Sequence, residues 1–489
     1  MNRKRKPCFL TAVMGAALAA GAATVSDVNI LQDAVTREVT ITYSLSGAPA
    51  IVTLDIQTNG PSGYASIGGE HIDCFSSDSD VWRKVSTDGT CTIKWHPDQS
   101  WPGGKATEVK AVVSAWSSDN PPDYMVADIS SSAAANTERY YPSVDFLPGG
   151  LLGNPAYRTT KLVMRKVMAT GIPWTMGTGD NSTSVTLTNN YYIGVFEMTQ
   201  GQFYQIAGYD KSAFKTEGAM RPANLVYFNE LRCASGNTSA WAGGNWPNPP
   251  YAGSFLDKLR RRTGLDFDLP GEAQWEYACR AGHSVSEWGN GVPIGDGSEM
   301  PGRHRYNGGF FEGATSWPST GTTGPTNGLA IVGSYAPNSW GLYDMHGNVF
   351  EMCVDWFESS IAALNGRVNV DPENRANTLG GNVVGTKRVR RGGSWHVGAS
   401  ESKSTNRLDM DPAARSECWG FRVICHAGNA ATHASSSSGE NAAPVALTAG
   451  IYPASASVQP LEARSFSISA SDVGEIDTFP AKGMYIIFR

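Results

Sequence analysis

The sequence predicts an α+β protein, in which an antiparallel β-sandwich precedes a larger domain of short strands with few helices. Three observations carry that prediction. Between residues 24 and 135, apolar and polar residues alternate in short runs separated by turn residues. Beyond residue 160, three segments place apolar residues at helical spacing and stop at a glycine. The chain is rich in Gly, Ser, Thr and Trp, and only 17% of it is charged, which favours short strands and long loops over helical bundles. At 489 residues, two or three domains are expected. A net charge of −6 provides no footprint for nucleic acid or an anionic membrane.

Residues 1–23 read as a secretory signal peptide. Arg3-Lys4-Arg5-Lys6 is a basic start, Phe9–Ala19 is apolar, and Ala20-Gly21-Ala22 supplies small residues for cleavage. The apolar run is too short to span a bilayer, and no later segment is expected to. The reading is of a secreted or periplasmic protein. In such a compartment the seven remaining cysteines default to disulfides with one left over, and Cys74 and Cys91, in the same β-rich region, are expected to pair.

Residues 24–135 are read as the sandwich, on the runs Val39–Tyr43, Ile51–Ile56, Cys91–Trp95 and Val109–Val113. Trp95, His96 and Trp101 offer a sugar platform there, although such residues more often serve core and edge. Residues 136–159 read as a linker. In the domain at 160–427, Thr199 is placed as an N-cap, with Phe203, Ile206 and Ala207 on one face and Gly208 as the stop. Phe255, Leu256 and Leu259 mark a second helix ending at Gly264. Pro270 opens a third that Gly282 closes. Residues 428–446 read as a flexible linker, and 447–489 as a short β-rich tail.

The densest stretch is Asn338–Phe357, NSWGLYDMHGNVFEMCVDWF. His346-Gly347-Asn348 reads as a tight turn, and Asp344, Asn348 and Glu351 bring hard oxygens to it, a composition suited to Ca²⁺. This stretch resembles the G-L-Y-D-M-x-G-N-V-W-E-W signature of the sulfatase-modifying-factor (formylglycine-generating-enzyme-like) domains. Phe350 and Met352 stand where that family usually has Trp. Tyr191–Thr199, Leu269–Gly282, Arg390–Trp395 and Trp419–Val423 resemble four further motifs in the family's order. The resemblance implies a variant C-type-lectin-like fold over about 160–425. It also implies calcium at Asp344 and Glu351 with the backbone carbonyls of Gly347 and Val349. A second set would use Asn307 and Gly308, with Asn327 where the family has Asp. In the related enzymes a Cys near Cys233 pairs with one near Cys425.

The family's oxidases hold Cu(I) on two thiols in the loop after R-G-G-S and convert a substrate Cys to an aldehyde. On that spacing the two positions are Val397 and Ser402, which cannot bind copper as thiolates, so copper is not expected. No HExxH or G-x-S-x-G occurs, and His396 with Glu401 and Asp409 reads as a solvated loop. The expected function is therefore non-catalytic recognition of an exported protein or a carbohydrate. The expected binding residues are Ser394, Trp395, His396, Arg407, Arg415 and Trp419. The alternatives are a formylglycine-generating-type oxidase acting on sulfatases and a variable receptor of a diversity-generating element.

Overall fold

The computed structural model describes residues 23–213, 218–233, 250–309, 328–361 and 386–426. Residues 1–22 of the expected signal peptide, the expected second linker and tail, and Asn327 lie outside the described residues. Strands predominate and helices are few, so the chain is α+β.

The first unit packs two antiparallel sheets. One joins Thr24–Gln32, Val39–Ser46 and Gly89–Trp95, and the other builds on Ala50–Gly60, paired with Val109–Ser117, Gly63–Ser66 and Arg83–Val85. The alternation seen in the sequence is the alternation of faces: Val39, Ile41, Tyr43 and Leu45 point inward beside Ile93 and Trp95. They meet Val52, Leu54 and Ile56 of the facing sheet. Trp95 is fully buried and donates through Nε1 to Ser100 Oγ at 2.9 Å, so it belongs to the core rather than to a sugar platform.

Cys74 and Cys91 are not bridged. The carbonyl of Cys74 accepts from the His96 amide at 3.0 Å, five residues beyond Cys91. At ~3.3 Å per strand residue the two cysteines stand roughly 16 Å apart, whereas a disulfide needs Cα atoms within about 7 Å. The described cysteines, Cys233 and Cys425 included, form no disulfide.

The second unit is organised by a six-stranded sheet in the order Phe267–Asp268, Ile424–His426, Tyr191–Gly194, Lys161–Val167, Tyr124–Asp128, Arg139–Tyr141. Tyr124–Asp128, read from the sequence as sandwich, pairs with Lys161–Val167. Its Met125 and Ala127, with Ile129 just beyond, join the core of the second unit. Arg139–Tyr141, within the expected linker, forms the edge of the same sheet.

The three helices expected from the sequence pack on this unit, with a shorter one, Phe228–Arg232, beside them. Gln200–Ala207 starts at Thr199, which forms a capping box with Gln202, and stops at Gly208 in the left-handed region. Phe255–Thr263 runs from Ser254 to Gly264. Glu272–Arg280 begins after Gly271 rather than at Pro270, and Ala281, at φ 48°, takes the left-handed position expected of Gly282. A four-stranded sheet, in the order Leu408–Met410, Arg388–Arg391, Phe350–Trp356, Trp419–Gly420, carries the loop of interest.

Candidate functional site

Two neighbouring features make up the site: a buried acid cluster and the loop above it. The cluster forms where Asn338–Phe357 folds against Tyr191–Thr199. Asp344 and Asn348 both have positive φ, which lets their side chains turn back into the interior. Glu351 is fully buried, and both of its oxygens are held by Arg422, through Nε and one Nη at 2.6 Å each. Trp275 Nε1 donates to the same carboxylate at 2.8 Å. Glu197 lies beside them, accepting from Asn348 Nδ2 at 2.6 Å and from the Val349 amide at 3.0 Å. Burial, then the neighbouring Asp344 and Glu351, hold Glu197 well above the usual carboxylate range. Asp344 accepts from the Gly333 amide at 2.7 Å on one oxygen, while its buried Oδ1 has no hydrogen-bond partner among the described residues. Burial pushes its pKa up to about 6.

These contacts test the expected calcium ligands. Of the expected set only Asp344 fits a cation, through its one unpartnered buried oxygen, and among the described residues no three His, Cys, Asp or Glu side chains are grouped to hold a metal. Glu351 fits poorly because a guanidinium already occupies it in a bidentate grip. Gly347 turns its amide to the Gly392 carbonyl at 2.7 Å, and Val349 offers Glu197 its N–H. The set at Asn307 and Gly308 does not fit. Asn307 spends Oδ1 on the His304 amide at 2.8 Å, and its carbonyl accepts from Arg303 Nη1 at 2.6 Å, so a cationic group already stands there. Gly308 lies within the Arg305–Gly309 turn.

The loop after Arg391 is held from below. Arg391 donates to the carbonyls of Asn406 at 2.6 Å and Ser404 at 2.8 Å while pairing with Glu276. His346 donates from Nδ1 to the Ser402 carbonyl at 2.8 Å and accepts the Gly289 amide on Nε2 at 3.1 Å. That arrangement requires a neutral ring, and burial lowers its pKa to about 4. The residues expected to bind ligand divide. Ser394 and Trp395 are fully buried, and Arg407 is bound to Glu272 through two nitrogens, so these three build the site instead of facing solvent. His396 and Trp419 are half-buried and Arg415 is exposed. Val397, Leu408 and Trp419 pack on a cluster of Leu329, Val349, Phe350, Trp395 and Cys418. Ser416 Oγ and Cys418 Sγ are 3.1 Å apart at its floor, with Ser394 also hydrogen-bonded to the thiol. Burial raises the Cys418 thiol.

A model described as the sulfatase-modifying factor enzyme 1-like domain matches residues 154–427, more than half of the chain. The chain belongs to this family. Within the sulfatase-modifying-factor domain, a formylglycine-generating enzyme of Thermomonospora curvata is 36% identical over 151 residues, covering 30% of this chain and 45% of that enzyme. A formylglycine-generating enzyme of Mus musculus is 26% identical over 294 residues, covering 54% of this chain and 73% of that enzyme. The match thus spans less than half of the bacterial relative. Among solved structures, the Treponema denticola variable protein 1 is similar, with a TM-score of 0.38 and 21% identity over 54% of this chain and 95% of that one. The variant C-type-lectin-like fold expected from the motifs is the fold of this domain. Glu197, Arg422 and Cys418 were not singled out as site residues from the sequence. A carboxylate within the apolar run Tyr191–Thr199 was the one local signal for Glu197.

Proposed function

We propose that this sulfatase-modifying-factor domain recognises a ligand without oxidising it. The carrying observation is the identity of two residues. Val397 and Ser402 occupy the positions at which the family's oxidases place copper thiolates. A valine has no donor atom. Ser402 is fully buried, with its carbonyl committed to His346. Among the described residues Cys418 has hydroxyls for neighbours, those of Ser394 and Ser416, rather than a second sulfur. A single thiol raised by burial is a poor soft-metal site.

The recognition face proposed is the half-exposed surface of His396, Val397, Leu408 and Trp419, an aromatic and apolar patch of the kind interfaces use, together with the exposed Arg415. A protein or a carbohydrate is the proposed ligand class. Calcium is proposed as a structural ion on Asp344 with Glu197 beside it.

Titration with Cu(I) in the presence of a Cys-containing sulfatase peptide tests the reading. The expected outcome is no stoichiometric copper uptake and no loss of peptide thiol to aldehyde by mass spectrometry. Aldehyde formed at a rate that tracks bound copper would establish an oxidase instead.

A further inference from the structure

Arg390 stands apart from the other arginines of its strand. Arg388 and Arg391 are buried, at 2% and 0% exposure, and each is consumed: Arg388 lies over the rings of Trp356 and Phe228, and Arg391 pairs with Glu276. Arg390 is half-exposed. Its guanidinium lies over two aromatic rings, 4.3 Å from the centroid of Phe350 and 5.0 Å from that of Trp419. Nε donates to the Asp409 carbonyl at 3.0 Å, which fixes the plane of the fork. Among the described residues the guanidinium makes no ion pair, although Arg391 and Arg407 nearby each meet a glutamate. Strand pairing with Met352 on one side and Leu408 on the other fixes where it emerges, beside the patch of Val397, Leu408 and Trp419.

An arginine packed against two rings and tethered at Nε, with its outer nitrogens unengaged among the described residues, has already lost part of the freedom that binding would cost it. The outer N–H groups form a planar fork that matches a carboxylate. Burial disfavours the charged form of Arg390, a penalty that the nearby acids Asp409 and Glu401 partly offset. Their field opposes a dianion more than a monoanion, which weighs against a phosphate. The apolar rim suits aliphatic side chains flanking the anion better than it suits a sugar.

We propose that Arg390, packed against Phe350 and Trp419, binds the side-chain carboxylate of an acidic residue flanked by apolar residues in a peptide partner. This rests on the recognition reading above and names the ligand chemistry of the same face. The net charge of −6 means that the attraction is local to this fork and not a property of the whole surface.

The full chain is titrated with acetyl-Leu-Glu-Leu-amide, with its Gln counterpart, and with inorganic phosphate, following the side-chain Nε resonance of Arg390 and the heat of binding. The Glu peptide is expected to shift that resonance and to bind at least about tenfold tighter than the Gln peptide, the size of a lost charge-assisted hydrogen bond. Arg390→Leu is expected to abolish the difference. Arg390→Lys, which keeps the charge without the fork, is expected to retain only part of it. Equal binding of both peptides, weakened by Trp419→Ala, would overturn the carboxylate assignment and leave the recognition face standing. Phosphate competing better than the Glu peptide would overturn it in favour of a different anion. Binding of neither peptide would also overturn it, and the copper and aldehyde measurement would then judge the recognition reading separately.

Discussion

Asp344 keeps one carboxylate oxygen on the Gly333 amide and leaves the other without a donor in a fully buried position. A buried carboxylate in that state either holds a proton or meets a cation, since an isolated ionised group in low dielectric is costly. With Glu197 beside it and Arg422 committed to Glu351, the cluster carries more negative than positive charge when ionised. Calcium is therefore expected to raise the thermal midpoint in a differential scan, by the equivalent of about 2.7 kcal/mol at a hundredfold excess over its dissociation constant. Asp344→Ala is expected to remove the increment and Glu197→Gln to reduce it. An unchanged response in Asp344→Ala would place the ion elsewhere. Asp344 was legible in the sequence because the Gly-Asn turn beside it concentrates oxygen atoms locally. The partner of Glu351 was not, because Arg422 lies 71 residues further along the chain and only the fold brings the two together.

The helix Gln200–Ala207 shows what short-range chemistry can specify. Thr199 Oγ1 accepts the Gln202 amide at 3.1 Å, and the Gln202 side chain returns to the Thr199 amide at 3.0 Å. The same hydroxyl donates to the Arg158 carbonyl at 2.8 Å, tying the helix start to the turn before Lys161–Val167. Thr199→Ala is expected to lower stability by about 1 kcal/mol, read as a shift of the urea midpoint at unchanged slope. A neutral result would mean that packing of Phe203 and Ile206 alone fixes the helix. Both ends of this helix follow from its sequence, since a capping box and a glycine stop act within four residues. The third helix departs from expectation at its end for an equally local reason: Ala281 adopts the left-handed conformation, a position glycine would take at lower cost. Sheet membership is different in kind. The apolar run in Tyr124–Asp128, buried on both faces, suits a strand and is silent about its neighbour, and the neighbour is Lys161–Val167.

Through this strand the two units share their packing: Tyr124 and Val126 join the core of the first, Met125 and Ala127 that of the second. A chain beginning at Asn154, where the family domain starts, would lose Met125, Ala127 and Ile129 from its core and expose the backbone edge of Lys161–Val167. Uncovering these side chains is expected to cost on the order of 5 kcal/mol relative to a chain beginning at Asn120, measured as the difference in urea-unfolding free energy. Equal stability of the two truncated chains would show that the edge is dispensable. On the same scale, the loop between Trp395 and Trp419 owes its position to groups beneath it: Arg391 on two of its carbonyls and His346 on a third. Those anchors grip main chain, which every amino acid supplies alike. The outward side chains can accordingly be rewritten without disturbing their footing, so a lineage, or an engineer, could exchange one quarry for another while inheriting the same mount.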